Sequence, residues 1–407
     1  DMAVRPRVLL VAPYGMCPPV HGGAVFMYQT VRELAQHVDL HLIILVDAPS
    51  EIAPHDELRR ICGSVEFLVR MEGQPKQIGS IDPYSVREFR NGDLDWLIHR
   101  QILRHRIDVV QFEYTNMGQY AGNYERVVNA VFEHDVYFQT LARQLRRPGS
   151  RINKLPVLLE YLRALRYESR MLERVDHAQV CSNANRDYVL SFLPALREKV
   201  ESGLRAGIDT RAYEFRADGR EPDTLLFLGS FRHLPNQEAL FWFLRHVFWQ
   251  ILRERPQTRV VIVGSDPPDR HALPHYETPD GRDPIEIIGF VEDVRTPLYR
   301  YAGFICPILT GSGVRVKLLE AFAAGIPVVS TGIGAEGLAA RDGEVCRLAD
   351  SAEGFARACV ELLANPDREM TQRARQEVEQ NWDMRTITAR LVQRYAELIK
   401  QKTNQRV

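Results

Sequence analysis

The stretch Thr310-Gly311-Ser312-Gly313-Val314-Arg315-Val316-Lys317-Leu318-Leu319-Glu320-Ala321-Phe322-Ala323-Ala324-Gly325-Ile326-Pro327-Val328-Val329-Ser330-Thr331 decides the fold. It follows an apolar run, Phe304 to Ile308, of strand length. A glycine-rich loop then opens a helix over 314–324 whose apolar positions recur at helical spacing. Gly325 fits the position just past a helix end, where a left-handed backbone closes the last turn, and Pro327 prevents continuation. Ile326 to Ser330 reads as a strand again. Strand, loop, helix and strand in that order form a β-α-β unit, and such units build parallel sheets.

The same rhythm extends in both directions. Before it come strands at Thr224 to Leu228, Arg259 to Val263 and Ile285 to Ile288, with a helix over 235–254. The first half runs Arg7 to Ala12, a helix from Gly22 to His37, then strands at His41 to Val46, Asp108 to Phe112, Val127 to Phe132 and His177 to Cys181. Stretches 84–105 and 156–174 read as helices. The rhythm breaks near 205–222, where Gly203, Gly207, Gly219 and Pro222 lie among charged residues, which is linker composition. The expected class is α/β: a doubly wound domain over 1–207, a linker over 208–222, a second doubly wound domain over 223–382, and a terminal helix over 383–407 that returns to the first domain. In such a pair ligands lie beyond the carboxyl ends of the strands, so the expected site is a cleft that the two domains face.

Composition narrows the function classes. The chain has 407 residues, 45% of them hydrophobic and 26% charged, the balance of an ordinary globular protein. Lys plus Arg number 52 against 53 Asp plus Glu, which argues against a dedicated nucleic-acid partner. No apolar run approaches the ~20 residues needed to cross a bilayer. The six cysteines form no C-x-x-C pair and have no histidine at metal spacing, so buried thiols in a reducing cytoplasm are expected, and no metal site.

Two loops carry the chemistry. The first, Pro13 to Gly23, opens a helix without the G-x-G-x-x-G dinucleotide fingerprint, since its glycines stand at 15, 22 and 23. Gly22 and Gly23 either let backbone approach an anionic ligand at the helix N-terminus or serve a turn that needs positive φ. The second loop is not a Walker A motif, because Leu318 follows Lys317. Its physics still suits phosphate: outward amides from Gly311, Ser312, Gly313 and Val314, the positive end of a helix, and full charges on Arg315 and Lys317. Glu320, one turn beyond Lys317, is either a surface partner of that lysine, contributing ~0.2–0.5 kcal/mol, or a carboxylate that accepts two ribose hydroxyls.

An ordered set of short motifs suggests a family. It comprises Gly229 with Pro235-Asn236, Val261-Ile262-Val263-Gly264, Ile288-Gly289-Phe290-Val291-Glu292-Asp293, and Leu319 to Ser330. Gly22-Gly23, Glu133-His134-Asp135 and Gly207-Ile208-Asp209 agree in the first half. Together they resemble the retaining GT-B glycosyltransferases of family 4, and the resemblance covers nearly the whole chain. It implies a nucleotide-diphosphate sugar of UDP or GDP type as donor, held in the C-terminal domain, and a glycan, lipid-linked or small-molecule acceptor in the N-terminal one, with no separate cofactor. Glu320 matches the second glutamate of the family's Glu-x7-Glu motif, which binds donor ribose. Phe290 and Val291 would read the base, the 311–314 loop would take the diphosphate, and His134 matches an active-site histidine near the donor sugar.

The chain departs from that pattern twice. Ser312 stands where the motif has its first glutamate, and Ser230 and Pro235 stand where relatives carry a basic pair. Arg315 and Lys317 would then restore the charge that neutralises the leaving diphosphate, with Arg232 as a further contributor. Residues 143–174 hold nine Arg or Lys against three Glu, beside a leucine stripe at 155, 158, 159, 162 and 165. That stretch is either a packed helix with a solvated basic face or a peripheral contact with anionic membrane. The rival readings are a GT-B nucleotide-sugar 2-epimerase and a non-catalytic nucleotide-sugar-binding subunit.

Overall fold

The computed structural model describes residues 5–20, 22–70, 80–146 and 154–405, and these divide into two compact units, residues 1–207 with 384–407 and residues 208–383. In the first, seven parallel strands carry a sheet: β1 (Arg7–Ala12), β2 (Asp39–Val46), β3 (Ser64–Val69), β4 (Val109–Glu113), β5 (Val128–Glu133), β6 (His177–Val180) and β7 (Val200–Glu201). Their spatial order is β3-β2-β1-β4-β5-β6-β7, so winding reverses between β1 and β4. Both faces are covered, which is why β1 reads as a continuous apolar run and why even the polar residues of β4 and β5, among them Gln111, Glu113, Asn129 and Glu133, are buried. One face packs Leu9, Val11, Phe112 and Val131, and the other packs Val8, Leu10, Leu42 and Val128.

Leu391, Tyr395 and Leu398 of the Met384–Asn404 helix join that second cluster, so the terminal helix belongs to the first unit. The stretch expected as one helix over 84–105 is two. Tyr84–Glu88 stops, and Gly92–His105 starts afresh because the Asn91 side chain accepts from the amides of Asp93 and Leu94.

The second unit has six parallel strands, β8 (Glu221–Leu228), β9 (Arg259–Val263), β10 (Ile285–Gly289), β11 (Tyr301–Cys306), β12 (Val328–Ser330) and β13 (Arg347–Leu348), in the order β10-β9-β8-β11-β12-β13. Here the winding reverses between β8 and β11. In doubly wound sheets that reversal opens a crevice at the carboxyl ends of the two strands. Residues 208–222, read from composition as linker, are folded onto this unit. Tyr213 donates to Glu320, and the Arg220 guanidinium donates to the carbonyls of Leu298 and Tyr301. The charged residues that suggested a free connection are thus tethers. Among the described residues no helix is long and apolar enough to cross a membrane.

Candidate active site

The crevice of the second unit is lined by the segments that leave β8 and β11. At β8 the chain turns at Gly229, whose carbonyl lies against Gly264. A Cβ on Gly264 would sit 1.7 Å from that oxygen and its φ is +146°, so no other residue fits. The Gly311–Val314 loop leaves β11 with left-handed backbone at Gly311 and Gly313 and runs into the Val316–Ala324 helix.

Arg315 and Lys317 do different things. The Arg315 guanidinium folds back and donates to the carbonyls of Ser312 (2.5 Å), Gly313 (3.2 Å) and Thr310 (3.5 Å), so it braces its own loop. Lys317 crosses to the end of β8, where its Nζ donates at 3.1 Å to Leu228 O and at 3.1 Å to Asn236 Oδ1. That places an ammonium one residue before Gly229. Burial lowers its pKa, and burial with the nearby charges of Lys317 and Arg232 lowers that of His233, which favours a neutral ring there. Arg232 itself is 76% exposed and paired with Asp266 at 2.6 Å, a solvated loop residue.

Glu320 accepts from the Tyr213 hydroxyl at 2.9 Å, and burial pushes its carboxyl up to about 7. The surface Lys–Glu pair with Lys317 is absent among its described contacts. Tyr213 escaped the sequence reading because it lies in the stretch taken as linker. Phe290 is 58% exposed beside Gly289, an apolar ring left in solvent at the end of β10. Val291 follows it, half-buried. Ser312 is buried in the loop and brings no carboxylate.

In the first unit the equivalent position is formed by the β1 loop and the ends of β4 and β5. Gly22 and Gly23 begin the Gly22–Leu34 helix. Gly23 has no positive φ; it is glycine because a Cβ there would lie 1.5 Å from the Tyr114 hydroxyl oxygen. The His134 ring stacks on Tyr114 (centroids 3.8 Å apart, planes at 3°), with Phe132 at 4.2 Å. Its side chain is 5% exposed, and Nε2 lies 3.6 Å from Glu113 Oε2, too far for a hydrogen bond. Neither ring nitrogen has a hydrogen-bond partner in the described structure. Burial lowers its pKa, so the ring is neutral.

Behind it, sequence reasoning missed a buried ion pair. The Arg205 guanidinium grips the Glu113 carboxylate, stacks over Phe132 at 4.2 Å and reaches Thr30 and Gln179. Burial alone would raise Glu113, yet the Arg205 guanidinium holds it below the usual carboxylate range. Gln179 bonds Gln111, which accepts from Tyr395 on the terminal helix. Among the described residues no cluster of His, Cys, Asp or Glu is placed to hold a metal ion.

Two doubly wound units with ligand-facing strand ends define a class, the GT-B fold. The comparisons agree: sucrose-phosphate synthase of Thermosynechococcus elongatus superposes with TM-score 0.71 over 98% of this chain and 100% of its own, at 16% identity. Anabaena HepE in complex with UDP does so with TM-score 0.62 over 96% and 100%, at 13% identity. At such identities the likeness shows the fold. Residues 222–365, most of the second unit, match the family described as Glycosyl transferases group 1. An uncharacterized 44.6 kDa protein in the cps region of Klebsiella pneumoniae is 28% identical over 173 residues, 40% of this chain; the match spans less than half of that protein, 43%.

Proposed function

We propose that the protein is a retaining, metal-independent glycosyltransferase that moves a hexosyl group from a nucleotide-diphosphate sugar, of UDP or GDP type, to a glycan, lipid-linked or small-molecule acceptor. The observation that carries this reading is the Lys317 ammonium at the end of β8, beside the braced amide loop 311–314 and one helical turn from Glu320. The β8 loop's own arginine, Arg232, is solvated and paired with Asp266, and Lys317 supplies the charge at the strand end from the helix. In the reaction the bond from the anomeric carbon to the diphosphate breaks, and the acceptor oxygen bonds that carbon on the same face. The acceptor proton passes to a diphosphate oxygen. Loop amides and Lys317 stabilise the charge that develops on the leaving group. Glu320 would take the ribose hydroxyls and Phe290 with Val291 the base; His134, neutral, would face a sugar hydroxyl. Structures of HepE with UDP and with UDP-glucose support the choice of donor class, and the Klebsiella protein's cps region suits a polysaccharide acceptor.

Thermal shifts with UDP, GDP and ADP and their sugar derivatives, without added metal, test the donor site. A ligand at 100 times its Kd adds ~2.7 kcal/mol, or several degrees in Tm. One nucleotide should shift the wild type and leave Glu320→Ala unmoved. Because the Glu320 carboxyl is pushed up to about 7 and its ionised form accepts hydroxyls best, the shift should grow as pH rises through 7. Silence across the panel would mean that the 311–314 loop and Glu320 do not form a nucleotide site; binding without turnover would bring forward the binding-subunit reading, which the absence of a carboxylate at Ser312 favours.

Peripheral membrane contact belongs to the same proposal. On the Lys154–Arg174 helix Leu155, Leu158, Leu159 and Leu162 are 61%, 42%, 48% and 52% exposed. Arg163 is neutralised by Glu160 and Arg166 by Asp82, whereas Leu165 is packed; Arg147 and Arg151 lie outside the described residues. Flotation with liposomes rich in anionic lipid should carry the protein upward, and Leu158→Glu with Leu162→Glu should abolish this. Recovery that ignores anionic lipid would leave the helix as a solvated surface.

A further inference from the structure

His55 ends a short turn, Ala53–His55, after β2, and its ring is fully buried beneath the β1 loop. Its hydrogen bonds fix its chemical form. Nδ1 lies 2.8 Å from Glu51 O, and a carbonyl can only accept, so Nδ1 carries the proton. Nε2 receives two backbone amides, Met16 N at 2.9 Å and Cys17 N at 3.1 Å, so Nε2 must be a lone pair. A protonated ring would aim an N–H at two other N–H groups. Burial also disfavours the charged form and keeps the pKa below the ordinary histidine value, with Glu51 and Glu57 opposing. The ring leaves no space above it: a Cβ on Gly15 would sit 3.0 Å from Cε1. The other groups facing this site are Phe67, edge-on at 5.5 Å and itself covered by the Arg59 guanidinium at 5.5 Å, and Cys17, whose thiol is pushed up to about 12. Tyr28 completes the ring of neighbours through Glu57. None of these supplies a second acceptor for the Met16 and Cys17 amides.

We propose that neutral His55 is a positioning residue that holds the Gly15–Cys17 backbone in its ligand-receiving form, and that protonation of this ring releases the loop and weakens ligand binding. The ligand half rests on the reading that the β1 loop meets the nucleotide-sugar complex; the strut does not. At neutral pH the ring is uncharged and the loop is held. As pH falls through the depressed value the imidazolium forms, both amides lose their acceptor, and the loop opens.

The test combines two readouts on the full chain between about pH 7.5 and about pH 5. Hydrogen exchange at Met16 and Cys17, corrected for intrinsic rate, should rise about tenfold in the wild type across that range. It should stay flat in His55→Gln, whose amide oxygen accepts without titrating. Binding of UDP-glucose by calorimetry should weaken in parallel in the wild type and weaken less in the variant, where only the Glu320 titration remains. The nitrogen shifts of the His55 ring, followed by NMR in the wild type, give the titration directly and need no substitution. Exchange that ignores pH, or rises equally in His55→Gln, overturns the strut. Exchange that follows the ring titration while UDP-glucose affinity falls no more in the wild type than in His55→Gln overturns the ligand half.

Discussion

Lys317→Met should lower turnover by about two to three orders of magnitude, because it removes a charge placed where the leaving diphosphate develops its own. Release of the nucleoside diphosphate from the sugar donor, with water as slow acceptor, reads this without knowledge of the natural acceptor. The loss should fall on kcat more than on KM, since the ammonium binds the charge of the transition state more tightly than that of the bound donor. Arg315→Met should behave differently. Its guanidinium holds the carbonyls of Ser312 and Gly313, so its removal loosens the loop and raises KM as well as lowering kcat. Burial lowers the Lys317 pKa, but the two acceptors it holds, Leu228 O and Asn236 Oδ1, favour the charged form. Undiminished turnover in Lys317→Met would remove the idea that this lysine replaces the missing basic pair.

Why Lys317 and Arg315 part company was not legible in the sequence. Both stand at a helix start with equal charge, and residues two apart point to different sides, which allows either assignment. What decides is reach: the lysine stem spans from the helix to β8, and that distance exists only once β8 and β11 are paired. The strands themselves were legible where both faces are buried, because β1 and β9 are unbroken apolar runs and their limits agree with the sequence reading. β3 was not, since every residue in it is only half-buried and Glu66 interrupts the pattern. The helix over 235–254 hides a wider turn, Phe243–Phe248, between two α-helical segments, which helical periodicity does not register. Tyr213 and Arg205 were missed for one reason: each lies in or beside a stretch whose glycines and charges look like linker. Arg205, set between Gly203 and Gly207, is one of the largest fully buried side chains among the described residues.

That burial makes Arg205 the site of the largest stability effect. Arg205→Met leaves Glu113 ionised with no counter-charge inside the sheet, a state that costs about 3–5 kcal/mol. For a domain of this size the first unit's Tm should fall by roughly 10 °C. The defect should shrink as pH falls, because an unpaired buried carboxyl readily takes a proton and the neutral acid is easier to bury. The double variant Arg205→Met with Glu113→Leu should recover most of the loss, since a well-packed apolar pair of similar volume is often as stable as the ion pair it replaces. Donor binding would not recover with it. Glu113 is the only carboxylate within 4 Å of His134 among the described ion pairs, and Gln179, which Gln111 links to Tyr395, loses the Arg205 donor. Scanning calorimetry of the two variants beside their UDP-glucose affinity separates these roles. Restored Tm with lost affinity marks the pair as support for the His134 position, and restoration of both would make it a replaceable core element.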